Sequence, residues 1–474
     1  MTPLTHVDVG MLHPESFRAA LDDEHYSQLA TVAAQAPEVF DGRVIWHINS
    51  TARGGGVAEL LQRLLAYARG AGVDARWVVI DGNPDFFRVT KRIHNNLHGA
   101  EGDGGDLGEH ERLVYEEALY ESAVELAELV RPRDIVVLHD PQTAGLIPAV
   151  RGRGTPVIWR CHVGLDLPND LARRAWSFLL PYVQEADAYV FSREAFAWEG
   201  LDESKVAVIP PSIDAFSPKN QELDPHSVHA ILAAAGIVKD HTSPAHPSFT
   251  RGDGSPGRVD RQADMLEEDM LAPDQRVVLQ VSRWDRLKDP LGVIMGFAEH
   301  VAPNTDAHLV YAGPSVAAVA DDPEGAEVLQ EARSAWGDLT ADVRARVHLA
   351  QLPMEDGDEN AVIVNALQRH ADVVVQKSLA EGFGLTVAEA MWKARPVVAS
   401  RIGGIQDQII DGETGLLLDD PRDLRSYGSE VDSLLGDVER AGRMGHAAME
   451  RVRSEFLGPR HLIQYFELVS RLLR

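Results

Sequence analysis

Two carboxylates eight positions apart, Glu381 and Glu389 in LAEGFGLTVAEAMW at 379–392, form the most specific chemical pattern in the chain. The glycines between them put Glu381 in a loop and Glu389 inside a helix. The first amides of that helix, near Gly384, Leu385 and Thr386, point outward at the positive end of its dipole. At a helical rise of ~1.5 Å per residue the carboxylates stand ~12 Å apart, enough to bracket a phosphate with a sugar on each side. VSRWDRLKD at 281–289 adds Arg283 and Lys288 after an apolar run. Two cations there could neutralise a diphosphate, or could serve a surface ion pair. NSTARGGGVAEL carries Gly54, Gly55 and Gly56 where a helix opens. Glycines let backbone approach a ligand, and free N–H groups attract phosphate or carboxylate, although the spacing is neither GxGxxG nor a Walker lysine pattern. LHDPQ supplies His139 and Asp140, and WRCHVG supplies His162. A lone histidine is more often a satisfied structural group than a ligand contact, and position at a strand end raises the functional reading. The one cysteine, Cys161 in VIWRC, reads as core filler.

These residues follow strand-length apolar runs, and in open α/β sheets ligands gather at the carboxyl ends of strands. RVIWHI at 43–48, RWVVI at 76–80, DIVVLH at 134–139, PVIWRCH at 156–162 and AYVF at 188–191 form one series. RVVLQVS at 276–282, AHLVYAG at 307–313, RVHLA at 345–349, DVVVQ at 372–376, PVVAS at 396–400 and GLLL at 415–418 form a second. Helix-length stretches separate them. Runs that are apolar throughout, rather than alternating, predict parallel strands covered on both faces. The expected architecture is therefore α/β, with two doubly wound parallel-sheet domains facing a cleft. The divider is placed at VIPPSID, 208–214, where paired prolines interrupt any regular element. That gives domains 1–213 and 214–457, with the amphipathic segment 458–474 packing back on the first. The stretch 240–264, rich in Pro, Gly, Ser and Asp, is expected to be an exposed loop insertion. The acidic, glycine-rich GAEGDGGDLGEH at 99–110 is expected to be an exposed loop or a mobile lid.

Composition narrows the function. Of the 474 residues, 45% are hydrophobic and 25% charged, as in an ordinary globular protein. A net charge of −28 repels nucleic acid and anionic lipid, so neither is an expected partner, and any anionic ligand needs a local basic cluster. The opening MTPLTHVDVGMLHPE has no basic start and apolar run, and no segment reaches membrane-spanning length. A cytoplasmic location is expected. No cofactor is expected, and no metal site can be read.

The glycine-rich first loop, the Arg283 and Lys288 pair and the Glu381–Glu389 spacing resemble the retaining GT-B glycosyltransferases of family four. Within that family HINSTARGGGVAELL, VIDGNPDFFRVTKRIHNNLHG, IWRCHV, VIPPSID, VSRWDRLKD and EGFGLTVAEAMWKARPVV resemble the trehalose glycosyltransferring synthases, over nearly the whole chain. The resemblance implies two Rossmann-like domains and reversible transfer of glucose from ADP-, UDP- or GDP-glucose to free glucose. Arg283 and Lys288 would hold the donor phosphates. Glu381, with the amides of Gly382, Phe383 and Gly384, would hold the transferred glucose. Leu385 and Thr386 would complete the donor cradle, and Glu389 would hold the ribose hydroxyls. Gly54 to Gly56 would close on phosphates or acceptor, His162 would lie beside the reacting carbon, and Asp140 would touch the acceptor. The nucleotide sugar is a substrate in this scheme, and a homodimer is left open. Trehalose phosphorylases, using glucose 1-phosphate, share the framework and are one alternative; a family-four transferase with a different acceptor is the other.

Overall fold

Strands whose successive residues are all apolar can be satisfied only when both faces of their sheet are covered. The computed structural model describes residues 4–52, 56–239, 246–316 and 323–474, and within these the chain divides into two units. One comprises Met1–Ser212 with Phe456–Arg474, the other Ile213–Glu455.

The first unit carries a seven-stranded sheet built from β1 (Leu4–Val7), β2 (Val44–Asn49), β3 (Asp74–Ile80), β4 (Ile135–His139), β5 (Val157–Cys161), β6 (Ala188–Phe191) and β7 (Val206–Val208). Their order is β1-β3-β2-β4-β5-β6-β7. All neighbours are parallel except β1, which runs antiparallel to β3. Strand β4 shows why both faces are apolar. Val136 and Leu138 pack with Tyr115 and Phe178 on one side, whereas Ile135 and Val137 pack with Phe40, Leu468 and Val469 on the other. Side chains along a strand alternate sides, so a strand at the centre needs two cores. Helices Pro84–Leu97, Glu109–Leu129 and Asp170–Val183 furnish the first core; Asp23–Phe40 and the closing Gly458–Leu472 furnish the second. Asn83 and Asn169 cap two of these helices by accepting from Phe86 N and Ala172 N.

The acidic loop after the helix Pro84–Leu97 is pinned from beneath. Arg92, buried, donates to both carboxylate oxygens of Asp103 at 2.6 and 2.9 Å, and to the Asp106 carbonyl. Gly105 lies against the guanidinium, where a Cβ would come within 2.2 Å of Arg92 Cζ. Most side chains of the loop face solvent while its backbone encircles one buried cation.

In the second unit β8 (Ser248–Thr250) and β9 (Pro256–Arg258) form a hairpin. The main sheet uses β10 (Asp264–Leu266), β11 (Val277–Val281), β12 (His308–Pro314), β13 (Val347–Leu352), β14 (Val373–Gln376), β15 (Val397–Ser400) and β16 (Leu416–Leu418). Its order is β10-β13-β12-β11-β14-β15-β16, parallel apart from the β10 edge. Residues 240–245 of the expected loop insertion lie outside the described residues, but 246–264 correct that reading. The segment is not a plain loop but contains a hairpin: Phe249 and Val259 are buried and Gly257 lies under the Phe249 ring, while most of its other residues are exposed as expected. Glu359, 1% exposed at the start of the helix Gly357–His370, accepts from the backbone N–H of Asp260 and Arg261, both at 2.6 Å, and pairs with the Arg261 guanidinium. A buried carboxylate is retained because three donors satisfy it.

Glu359→Ala would leave those donors unsatisfied, at a cost of about 3 kcal/mol. The thermal midpoint of the second unit should fall by about 6–12 °C, and Glu359→Gln, which keeps one acceptor, should lose less. Calorimetry showing no shift for the alanine variant would mean that the hairpin is not anchored there.

Candidate active site

In the second unit the site is assembled from two strand ends. Beyond β11 the chain turns through Arg286–Lys288 and enters the helix Pro290–Gly296. Asp285 accepts from Leu287 N at 2.7 Å and from Arg283 Nη2 at 3.0 Å, leaving the Arg283 side chain 60% exposed. Beyond β14 the loop 377–384 ends at Gly384, whose φ of 81° suits glycine as the cap of the helix Leu385–Trp392. The two loops are joined by Lys288 Nζ, which donates to Glu381 Oε2 at 2.6 Å, and by Leu379 N, which donates to the Leu287 carbonyl at 2.7 Å. Gly403 is required beneath them, because a Cβ there would lie 1.8 Å from the Glu381 carbonyl oxygen.

Polar side chains inside the strands hold this arrangement. Gln280, fully buried on β11, donates to the Lys288 carbonyl at 2.8 Å and accepts from Lys377 N at 3.1 Å. Gln376, on β14, accepts from Thr386 Oγ1 and donates to Ser282 and Ser378, each at 3.0 Å. Lys377 is fully buried and paired with Asp289, whose φ is 51° and whose carboxylate caps the helix Pro290–Gly296 at Gly292 N. Phe383 is buried, Gly382 accepts from Gly404 N at 2.9 Å, and Leu385 is partly exposed in the first helical turn. Glu389 lies deeper, 3% exposed and 3.6 Å from Lys219 Nζ. One helical turn on, Lys393 donates to Asn220 Oδ1 and to the Glu389 carbonyl, and burial pushes its ammonium down to about 7 against the pull of Glu389.

The first unit presents a different chemistry at the ends of β2, β4 and β5. His47 Nδ1 lies 3.0 Å from His139 Nε2, and His139 Nδ1 lies 3.2 Å from His162 Nε2, the rings nearly parallel. Arg160, fully buried on β5, donates through Nε to His162 Nε2 at 3.3 Å and through Nη1 to Tyr465 OH at 3.4 Å. Asp140 sits at φ 64°, a strained conformation for a non-glycine residue, and accepts from His162 N at 2.8 Å. His461, stacked on Tyr465, meets Ser212 Oγ at 3.0 Å. Burial, helped by the Arg160 charge, lowers His47 to about 3 and takes His139, His162 and His461 well below the ordinary histidine range. Burial raises Asp140 to about 6, opposed by the His162 N–H and by Arg160. The Cys161 thiol is fully buried and pushed upward for the same reason.

Of the residues expected from sequence, Lys288 and Glu381 are brought into direct contact, as are Asp140 and the His162 backbone. Arg283 and Thr386 are turned to Asp285 and Gln376, Glu389 pairs with Lys219, and Gly56 opens the helix Gly56–Gly70. Gly54 and Gly55 lie outside the described residues. Sequence reasoning missed Gln280, Asp289, Gln376, Lys377, His47, Arg160, Lys219, His461 and Tyr465. Five of these are polar residues inside or just beyond otherwise apolar strands, and that interruption is the signal that could have found them. Among the described residues no group of three or more His, Cys, Asp or Glu could hold a metal ion, and no helix is long and apolar enough to cross a membrane.

A profile described as "Trehalose synthase, N-terminal domain" matches residues 47–198, and one described as "Glycosyl transferases group 1" matches 264–451. A Rubrobacter xylanophilus protein named trehalose synthase is 36% identical over 473 residues, 99% of each chain. The chain belongs to the trehalose synthase family. It is accordingly a retaining glycosyltransferase, and its two parallel-sheet units are the Rossmann-like domains of the GT-B fold. A solved E. coli structure titled trehalose-6-phosphate, bound with UDP-2-fluoro glucose, shares that fold with a TM-score of 0.66 at 13% identity, covering 91% of this chain and 99% of its own. A Pleurotus sajor-caju protein named trehalose phosphorylase lies further from the family, 25% identical over 79% of this chain and 50% of its own length.

The buried histidines make stability acid-sensitive. Each of His47, His139, His162 and His461 takes up its proton in the unfolded chain near pH 6.5 but only much lower when folded, so stability falls as pH drops below about 6.5. Asp140 works the other way: its raised folded value adds stability at low pH that is lost as pH rises through about 6. At about 1.4 kcal/mol per pH unit for each proton, four histidines less one aspartate leave a fall of about 4 kcal/mol per unit near pH 5. Asp140→Asn should steepen that fall by about 1 kcal/mol per unit, and an unchanged slope in pH-dependent calorimetry of the first unit would contradict it.

Proposed function

We propose that this protein transfers glucose from a nucleotide-activated glucose to free glucose, forming α,α-trehalose reversibly with retention at the donor carbon. The observation that carries the reading is the full-length likeness at 36% identity to a protein named trehalose synthase, supported by a cation and a carboxylate joined at 2.6 Å where two strand ends meet. In this reading Lys288 and Arg283 neutralise the donor phosphates, and Lys288 gains most as charge develops on the leaving oxygen. Glu381 accepts from hydroxyls of the transferred glucose, and the cradle of Gly382, Phe383, Gly384, Leu385 and Thr386 lies alongside. Glu389, freed from Lys219, accepts from the ribose hydroxyls. Gly54 to Gly56 close on phosphates or acceptor. His162 meets the reacting sugar, and Asp140 accepts from a hydroxyl of the acceptor.

The acceptor hydroxyl attacks the face that the phosphate leaves, and a phosphate oxygen takes its proton, so no protein nucleophile is needed. The first unit is the acceptor side and the second the donor side. A nucleotide donor, rather than glucose 1-phosphate, is favoured because the phosphorylase relative matches at 25% and over half its length. We place the enzyme in the cytoplasm.

Lys288→Ala should lower kcat about 10²- to 10³-fold with little change in fold, since a preorganised charge contributes chiefly in the transition state. Normal turnover in a folded variant would remove Lys288 from this role. Supplied with ADP-, UDP- or GDP-glucose and glucose, the enzyme should yield α,α-trehalose by proton NMR. A β linkage would overturn retention, and efficient turnover of glucose 1-phosphate alone would replace the synthase reading with the phosphorylase one.

A further inference from the structure

The three-histidine chain of the first unit has an ambiguity that its own geometry resolves. Each contact joins a Nδ1 to a Nε2, so one proton must lie in each. Only two arrangements satisfy both contacts, because a neutral imidazole carries one N–H and one lone pair. If His47 donates to His139, then His139 must donate to His162, and all three rings carry the proton on Nδ1. If His162 donates instead, all three carry it on Nε2. The chain therefore flips as a unit.

Arg160 breaks the tie. A guanidinium donates and never accepts, so its Nε, 3.3 Å from His162 Nε2, requires a lone pair there. The Nε2–H arrangement would set two N–H groups against each other, and the Arg160 guanidinium, fully buried, cannot turn to solvent to avoid the clash. Arg160 is itself held by Tyr465 of the closing helix, whose hydroxyl accepts at 3.4 Å and whose ring centroid lies 5.9 Å from Cζ. The remaining ring nitrogen, His162 Nδ1, makes no hydrogen bond among the described residues, and His162 keeps partial solvent contact.

We propose that Arg160 is a positioning residue: it fixes His47, His139 and His162 as the Nδ1–H tautomers, so that His162 presents an N–H donor to an oxygen of the reacting sugar. This rests on the reading that His162 meets the sugar. A donor there selects an oxygen with a free lone pair and rejects a group that can only donate. Reversal of the chain would present a lone pair instead.

The test uses the full chain with ¹⁵N-labelled histidine and long-range proton–nitrogen correlation. All three rings should show Nδ1–H between pH 6 and 8. Arg160→Met, which keeps the aliphatic bulk without the donor, should release His162 into the Nε2–H form in part or fully. It should also lower kcat for disaccharide formation at least about tenfold while KM for the nucleotide glucose stays within about twofold. Arg160→Lys, which restores a donor, should recover Nδ1–H and part of kcat. Nε2–H in the unaltered protein, or Nδ1–H unchanged in the methionine variant, overturns the proposal, and the first of these needs no variant to fold. A tautomer that responds to Arg160 in a protein making no disaccharide would support the assignment and overturn the transfer reading.

Discussion

A parallel sheet covered on both faces can carry a polar side chain only where a partner satisfies it, since an unpaired buried donor or acceptor costs roughly 1–3 kcal/mol. Both units spend this allowance at the carboxyl ends of their central strands. Gln280 and Gln376 close β11 and β14, while His47, His139 and Arg160 close β2, β4 and β5. The apolar remainder of each strand locks the sheet, so the polar end inherits a fixed backbone. Loops as irregular as 282–289 and 377–384 can then hold Lys288 against Glu381 because strand residues, not the loops, set their positions.

The two units meet the same constraint with opposite electrostatics. In the second, buried charge is compensated pairwise: Lys377 by Asp289, Lys288 by Glu381, Lys219 by Glu389. In the proposed reading a charged ligand would substitute for one partner of such a pair rather than meet an empty field. In the first unit burial keeps the histidines neutral, and Arg160 has no carboxylate ion pair among the described residues. A neutral, directional surface of this kind suits hydroxyl groups, whose recognition depends on which atom donates and which accepts.

Eleven of the fourteen strands in the two large sheets were legible because burial on both faces leaves the sequence no choice but apolar runs. Three of the four edge strands, β1, β7 and β10, were not. Leu4–Val7 is half polar, and its place is dictated by Asp74–Ile80, seventy residues on. The hairpin at 248–258 was hidden by its own prolines, glycines and aspartates, and its anchor, Glu359, lies about a hundred positions away. In the site, Lys288 and Glu381 were each legible from local motifs, but their contact spans 93 positions, which no motif encodes. Arg160 and His47 were passed over for the opposite reason. They sit within VIWRC and VIWHI, where apolar neighbours announce a strand and mask the one residue that departs from it.

In the second unit the corresponding interruptions, Gln280 and Gln376, hold the loops that carry the Lys288–Glu381 pair. At 2.6 Å, and with each side chain about 15% exposed or less, the pair has already lost most of its water. In the proposed reading a donor phosphate approaching Lys288 would meet a cation that has already given up most of its water, so less reorganisation would remain when charge moves onto the leaving oxygen. On the same reading Glu381 would be released by that event and would accept from sugar hydroxyls in place of the Lys288 ammonium. Binding and activation would then be one exchange of partners. An exchange of this kind works only if the loops stay still while partners change, and buried strand residues such as Gln280 and Gln376 supply that rigidity. On that reading the polar interruptions in β11 and β14 serve the site rather than being defects in the core.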